Sequence, residues 1–404
     1  MIKRDCIICK FFYKLLIIFW VFLFVQCTQP DQEFDNAFVF VTSADMRYYI
    51  QDVNSSTRHF MGALTAIKKN GSGKFLVSTG DIDPPWKVKA AIDSILGKDY
   101  PWYPVMGNHE MEDSQYVEFL QNYNKKGESL PNLVRPGPAG CEETTYSFDW
   151  ENCHFVVLNQ YFDGHSDMGT DGDVVPALLE WLKEDLAANR KKFIFVFGHE
   201  PIFSMPDMDT GRLRHYENSL NRYMENNIAF LRLLNEYQVI AYVCGHSHNT
   251  SYANFNGLWQ IDTGHSRGLE GISPMEYFPE VISGIQKNLD AGMNLDVAVE
   301  EFYSNHPNQK DLQKGLEYMD FSNGLPYGQL TGPQIIQGLS LFFREVQKGP
   351  QVADRLTETF WKKANYSPST FIKFYVTKTR VKAEYYRDDG KGGEYFLCKS
   401  LILN

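Results

Sequence analysis

Five times along this chain a short apolar run ends in a small-residue turn that carries an Asp, Asn or His side chain. The runs are FVFVTSAD ending at Asp45, KFLVSTGD ending at Asp81, WYPVMGNHE with Asn108 and His109, FIFVFGHEP with His199, and VIAYVCGHSH with His246 and His248. The end of a strand points its last side chains into the crevice above an open α/β sheet, the usual place for ligands. Oxygen and imidazole donors gathered there are what a hydrolytic two-metal centre needs. Glycine at 80, 107, 198 and 245 lets the chain turn sharply and brings the following side chain close to an ion. In Gly-His-Ser-His, alternate residues of an extended segment share a side, so His246 and His248 face one region.

The rest of the chain is organised around those turns. From about residue 37 to 264, strand-like runs alternate with amphipathic helical ones such as Thr57 to Lys69, Ala177 to Asn189 and Ile228 to Tyr237, which predicts an α/β domain. TTYSFDW and CHFVVLN, joined by Glu151 and Asn152, read as a hairpin, and NFNGLWQID reads as two short strands around Gly257. The expected division is a core over 37–270, a helical insertion or cap over 271–367, and C-terminal strands over 368–404 that rejoin the core sheet.

Residues 1–27 stand apart. Lys3, Arg4, Lys10 and Lys14 precede an apolar run from Leu15 to Val25 of signal-peptide length, and Cys27 closes it before a polar stretch. This resembles a bacterial lipoprotein signal with the lipid on Cys27; plain secretion and an uncleaved anchor are the alternatives. All three predict a folded part outside the cytoplasm, in the periplasm or at the cell surface of a bacterium, with membrane attachment through the anchor or lipid. Cys141, Cys153, Cys244 and Cys398 contain no Cys-x-x-Cys pair, so neither a structural zinc nor a disulfide framework is expected. The formal charge of −11 argues against a sequence-independent grip on nucleic acid, which depends on many Lys and Arg contacts to phosphates. A small phosphorylated substrate stays compatible with it, because bound divalent ions reverse the local field. Oligomeric state has no signature in the sequence.

The ordered set Gly-Asp, Gly-Asn-His-Glu, Gly-His-Glu-Pro and Gly-His-x-His resembles the calcineurin-like metallophosphoesterase superfamily, which includes phosphodiesterases and purple acid phosphatases. The resemblance covers about residues 37–268 and holds at four of the five junctions. It implies a two-sheet α/β/β/α sandwich with a helical insertion and a pair of divalent ions, Mn, Fe, Zn or Co. Carried over residue by residue, it makes Asp81 the bridging ligand, gives Asn108, His199 and His246 to the second metal, and Asp45 and His248 to the first. His109 would protonate or hydrogen-bond the leaving-group oxygen. The family's partner carboxylate for this histidine falls here on Pro84, and Asp83 or Glu110 is left to take its role.

The junction that departs is the first. Where the family has Asp-x-His, this chain has Asp45, Met46 and Arg47, and a guanidinium, all donors and always charged, cannot ligate a cation. Pro84 also excludes the tyrosine that purple acid phosphatases place three residues after the bridging Asp. Either the centre stays binuclear with a weaker first metal while Arg47 turns to the substrate phosphate, or it works with one ion. FSMPDMDTGRLRHYENSLNRY, directly after the His199 junction, offers Arg212, Arg214 and His215 as substrate contacts. The function expected is hydrolysis of a phosphomonoester or phosphodiester by a metal-bound hydroxide; the alternative is a degenerate site that binds a phosphorylated ligand without turnover. His59, His154, His165 and His306 lack ligand-type neighbours and read as structural.

Overall fold

A computed structural model describes residues 32–47, 56–169, 171–216, 218–267, 274–306, 312–313, 315–316, 319, 321–322, 330–356, 368–388 and 393–404. The N-terminal apolar segment, and parts of the expected cap, lie outside them. Among the described residues no helix is long and apolar enough to cross a membrane.

Two sheets face each other. The first joins β1 (Phe38–Ser43), β2 (Leu76–Ser78) and β3 (Trp102–Pro104) in parallel, and β11 (Thr370–Val376), β12 (Val381–Asp388) and β13 (Tyr395–Ile402) continue it antiparallel beyond β1. The second runs β4 (Leu133–Pro136), β5 (Tyr146–Trp150), β6 (Cys153–Val157), β7 (Phe193–Phe197), β8 (Ala241–Cys244), β10 (Leu258–Thr263), β9 (Thr250–Phe255). Strands β6, β7, β8 and β10 are parallel, whereas β5–β6 and β9–β10 are the two hairpins read from the sequence.

Strand periodicity divides the apolar residues between layers. In β7, Phe193, Phe195 and Phe197 enter the core between the sheets, while Ile194 and Val196 turn outward to the helices Pro176–Ala188 and Met224–Glu236. In the first sheet, Phe40 and Phe75 point inward, and Val41, Leu76 and Trp102 meet the helices Ser56–Lys69, Pro85–Leu96 and Ser114–Tyr123. The result is the four-layer α/β/β/α sandwich expected, and both faces of each central strand are covered, which is why these runs are continuously apolar. The Phe40 ring is the hub, with ring centroids of Phe374, Phe195, Phe75 and Phe155 at 4.7, 5.1, 5.2 and 5.2 Å. Helices Pro274–Asp290, Leu295–Asn305 and Gly332–Val346 close around a separate core that includes Val281, Ile285, Leu339 and Phe342.

A seam of hydrogen bonds joins the sheets where their parallel strands end. Thr79 Oγ1 donates to Cys244 O at 3.2 Å, and Ser266 N–H donates to Ala44 O at 2.8 Å. The turns after β1, β2, β3, β7, β8 and β10 therefore converge on one edge of the sandwich.

Candidate metal centre

The turns that carry the candidate ligands are strained. Asp45, Asp81, His246 and His248 have φ of 50°, 52°, 68° and 57°, a left-handed conformation that costs a non-glycine residue about 1 to 3 kcal/mol. Close approach adds a second constraint. At Gly80, with φ of 91°, an added Cβ would stand 2.2 Å from Nδ1 of His199.

One half of the centre is compact. Asn108 Oδ1 lies 3.2 Å from Nε2 of His199 and 3.2 Å from Nδ1 of His246, and His199 Nε2 is 3.3 Å from Asp81 Oδ1. Protons on these rings are committed elsewhere: His199 Nδ1 donates to Thr79 O at 2.8 Å, and His246 Nε2 donates to Asn218 O at 3.0 Å. Both inward nitrogens therefore present lone pairs, and they face oxygen acceptors. Four acceptors crowded together without a proton to share repel one another. Their separations match the roughly 3.0 to 3.4 Å between neighbouring ligands of a cation bound at about 2.1 Å. Burial, and then the neighbouring His199, hold His246 near a pKa of about 3, and burial also lowers that of His199, so both rings are neutral as ligation requires. The donor set fits a divalent transition ion.

The other half is looser. One ligand atom each from Asp45, Asp81 and His248 can be chosen within 4.8 Å of one another. Asp45 is fully buried; its Oδ2 accepts the His246 N–H at 3.0 Å, and its Oδ1 accepts no hydrogen bond but lies 3.4 Å from His248 Nε2. Burial, with repulsion from Asp81 and Asp262, raises the Asp45 pKa well above the usual carboxylate range, a cost that a cation would remove. Asp81 behaves oppositely. Burial works against its charge, but His199, His109, His246 and Arg47 more than offset it and hold its carboxyl at about 2. With His199 and His246 neutral at pH 7, Arg47 is the permanent cation in that set.

His109 and Arg47 are locked together. Arg47 Nη1 donates to His109 Nε2 at 2.7 Å, its Nε lies 3.3 Å from Asp83 Oδ1, and its Nη2 reaches to 3.7 Å from Glu112. His109 Nδ1 donates to Glu112 Oε1 at 2.5 Å. The structure thus gives His109 a carboxylate partner that is neither Asp83 nor Glu110. Asp83 serves Arg47, and Glu110 accepts the backbone N–H groups of Gly107, Ile82 and Asp81 at 2.7, 2.8 and 3.0 Å, tying the turn after β2 to the turn after β3. Glu112 was findable, because residues three apart meet on one face of a helical turn.

The insert after His199 divides in two. Arg212 is buried and donates to Asn249 Oδ1 at 3.0 Å and His248 O at 2.8 Å, so it braces the ligand loop and does not face substrate as expected from the sequence. Arg214 donates to His248 Nδ1, and the His215 ring packs 4.2 Å from that of His246. Sequence reasoning passed over two further residues. Gln160 Oε1 accepts the N–H groups of His199 and Glu200, both at 2.7 Å. Arg267 follows β10, and its Nη2 lies 2.9 Å from His248 Nδ1. Gln160 follows a strand like the ligands do, but an amide in VVLNQ carries no metal signal. His59 and His154 pair with Asp388 and with Asp149 and Asp185, away from the centre.

Residues 52–250 match the family model described as calcineurin-like phosphoesterase. The match begins beyond Asp45 and Arg47. The chain is 26% identical over 172 residues to tartrate-resistant acid phosphatase type 5 of Rattus norvegicus, an alignment covering 41% of this chain and 49% of that one. The Homo sapiens protein of the same name is 25% identical over 170 residues, with 41% and 48% covered. The chain spans about half the length of the curated relatives it matches. A purple acid phosphatase from yellow lupin (Lupinus luteus) seeds superposes with a TM-score of 0.46 and 10% identity, covering 91% of this chain and 53% of that chain.

Proposed function

From a chain that carries a calcineurin-like phosphoesterase domain, we propose metal-dependent hydrolysis of a phosphomonoester or phosphodiester. The observation that carries this reading is the cluster of unprotonated donors at Asp81, Asn108, His199 and His246, with Asn108 Oδ1 3.2 Å from both ring nitrogens. These four would hold a divalent ion, and beside them ligand-type atoms of Asp45, Asp81 and His248 lie within 4.8 Å of one another. Such an ion supplies Lewis acidity, polarising a phosphoryl oxygen and making water a nucleophile near neutral pH.

The chain's own groups do the rest. Thr79 and Asn218 fix which ring nitrogen of His199 and His246 faces inward, the outer-sphere tuning that metal sites depend on. Arg47 brings a fixed positive charge and a planar fork of donors suited to phosphoryl oxygens. His109, oriented by Glu112 through Nδ1, turns Nε2 toward the centre, 3.6 Å from Asp81 Oδ2, and is the group placed to deliver a proton to a leaving alkoxide. For that to happen Arg47 must release Nε2 when substrate arrives, so that its fork passes to the phosphoryl group, and the freed Nε2 must first take up a proton from solvent, which it then gives to the alkoxide.

The same Arg47–His109 contact supports a second reading, a centre that binds a phosphorylated ligand without turnover. Hydrolysis of p-nitrophenyl phosphate and bis-p-nitrophenyl phosphate separates them. Protein lacking residues 1–27 is stripped of metal and resupplied with Mn, Fe, Zn or Co, with His246→Ala as control. Metal-dependent turnover lost in the control establishes the hydrolase, and the preferred ester decides between monoester and diester. Tight metal uptake without turnover establishes the binding protein.

We place this activity outside the cytoplasm, on the membrane side set by residues 1–27, because a basic start, an apolar run and Cys27 form an export-type leader. Fractionation of cells expressing the full chain and Cys27→Ser tests it: release of the variant from the membrane supports the lipid, and a cytoplasmic wild type overturns the placement.

A further inference from the structure

The two halves of the centre differ in what surrounds them. Around Asn108 the inward atoms are acceptors, their outer nitrogens are anchored by carbonyls, and separations are 3.2 to 3.3 Å. Around His248 the neighbours are guanidinium groups. Arg267 Nη2 stands 2.9 Å from His248 Nδ1 and 3.4 Å from its Nε2, and Arg214 donates to the same Nδ1. Arginine only donates, so Nδ1 is an acceptor. A neutral ring that accepts at Nδ1 keeps its proton on Nε2, the nitrogen 3.4 Å from Asp45 Oδ1. His248 therefore turns a proton and not a lone pair toward the Asp45 side, without closing a hydrogen bond to Oδ1. His199 and His246, held by carbonyl oxygens, have the reverse arrangement.

The fold builds this difference in. Arg267 is buried, and its loop is stitched to the first sheet by Ser266 N–H to Ala44 O at 2.8 Å and Ser266 Oγ to Thr370 O at 2.7 Å. Arg214 sits two residues from Arg212, which is itself fastened to His248 O. Arg47 takes the place of a further imidazole ligand on the same side and is paired with Asp83. Three permanent cations border the half defined by Asp45, and a divalent ion entering it meets their repulsion in a buried setting where screening is weak.

We infer that this chain binds a single divalent ion, in the half formed by Asp81, Asn108, His199 and His246, and that Arg47, Arg214 and Arg267 supply the positive charge of the Asp45 half in place of a second ion. The inference rests on the reading that the centre takes divalent cations, and it fixes how many and where.

Metal content by mass spectrometry, after saturation with Mn and removal of free ion, tests it on the chain without residues 1–27. Wild type and Asp45→Ala are each expected to plateau at about one ion per chain, and His246→Ala at none, with retention of the circular-dichroism spectrum as the check on folding. The Mn form should give the electron-paramagnetic-resonance signal of an isolated ion, without the exchange coupling of a pair. Replacing the guanidiniums in Arg47→His with Arg214→Met and Arg267→Met should raise the plateau to about two. If that variant fails to fold, Arg267→Met alone is expected to bring a second, weaker uptake step.

Two ions in wild type, a coupled signal, or loss of the ion from Asp45→Ala with retention in His246→Ala overturns the inference. Hydrolysis is scored separately. One ion without turnover removes the hydrolase and leaves the inference standing, whereas two ions with turnover does the opposite.

Discussion

Nη1 of Arg47 lies 2.7 Å from Nε2 of His109, so an arginine occupies the nitrogen through which that histidine would meet a leaving group. The proton of His109 is then on Nδ1, held by Glu112. Removing the charge at Glu112 frees the ring to turn without touching any metal donor. Glu112→Gln is expected to lower kcat by about 10- to 100-fold on an alkyl phosphate such as glycerol phosphate and by much less on p-nitrophenyl phosphate, whose phenolate departs without a proton. Steady-state kinetics on the two esters checks this; equal losses would remove His109 from proton transfer.

Gly80 has no room for a side chain. Gly80→Ala puts a methyl group 2.2 Å from His199 Nδ1 at a backbone φ of 91°. The ring that Thr79 O fixes must move, so metal affinity should fall by at least about tenfold, with destabilisation on the order of 1 to 3 kcal/mol. Metal titration followed by thermal melting reads both effects, and unchanged affinity would show that the ring is not a ligand.

Arg212 separates bracing from substrate contact. Arg212→Ala leaves Asn249 Oδ1 and His248 O without their donor in a buried setting, a loss of about 1 to 3 kcal/mol for each acceptor. The melting temperature should drop, while residual activity shows a lowered kcat from displaced His248 and no selective rise in KM. A rise in KM at unchanged melting temperature would restore the residue to the substrate.

His154 lies far from the centre and carries a pH dependence of stability. Its two ring nitrogens are 2.8 Å from Asp149 Oδ1 and Asp185 Oδ2. Burial lowers its pKa, but the hydrogen bonds and charges of Asp185 and Asp149 outweigh burial and raise it. A folded value above the unfolded one means that the doubly bonded, charged ring stabilises the fold fully below about pH 6.5, and that this is lost as pH rises through the folded value. Urea titrations of wild type and His154→Gln from pH 5 to 9 should differ most at the acid end and converge as pH rises. A constant difference would assign His154 to packing alone.

The two sheets, both hairpins and the outer helices were legible because each depends on local pattern: continuous apolar strands covered on two faces, amphipathic helices, and turn residues at 151–152 and 256–257. Candidate ligands were legible for a related reason, since a strand end and a glycine turn are local features. What decides protonation was not. Thr79, Asn218 and Gln160 act through a carbonyl or an amide, groups that any sequence contains, and they reach their histidines across 120, 28 and 39 residues. Arg212 illustrates the opposite failure. A cation in a polar insert reads as exposed, and burial came from the fold of that insert onto the His248 loop.

The placement of β11 has a consequence for how the molecule is made. Strand β1, which leads to Asp45, is flanked by β2 on one side and β11 on the other, and its Phe40 stacks on Phe374. A ribosome that has released residues up to 300 has delivered every candidate ligand, yet β1 still has an open edge and a hydrophobic hub missing one wall. The strand that leads to the first carboxylate therefore lacks this neighbour until residues 370–376 have been made. A nascent chain at that stage is the form most exposed to partner strands.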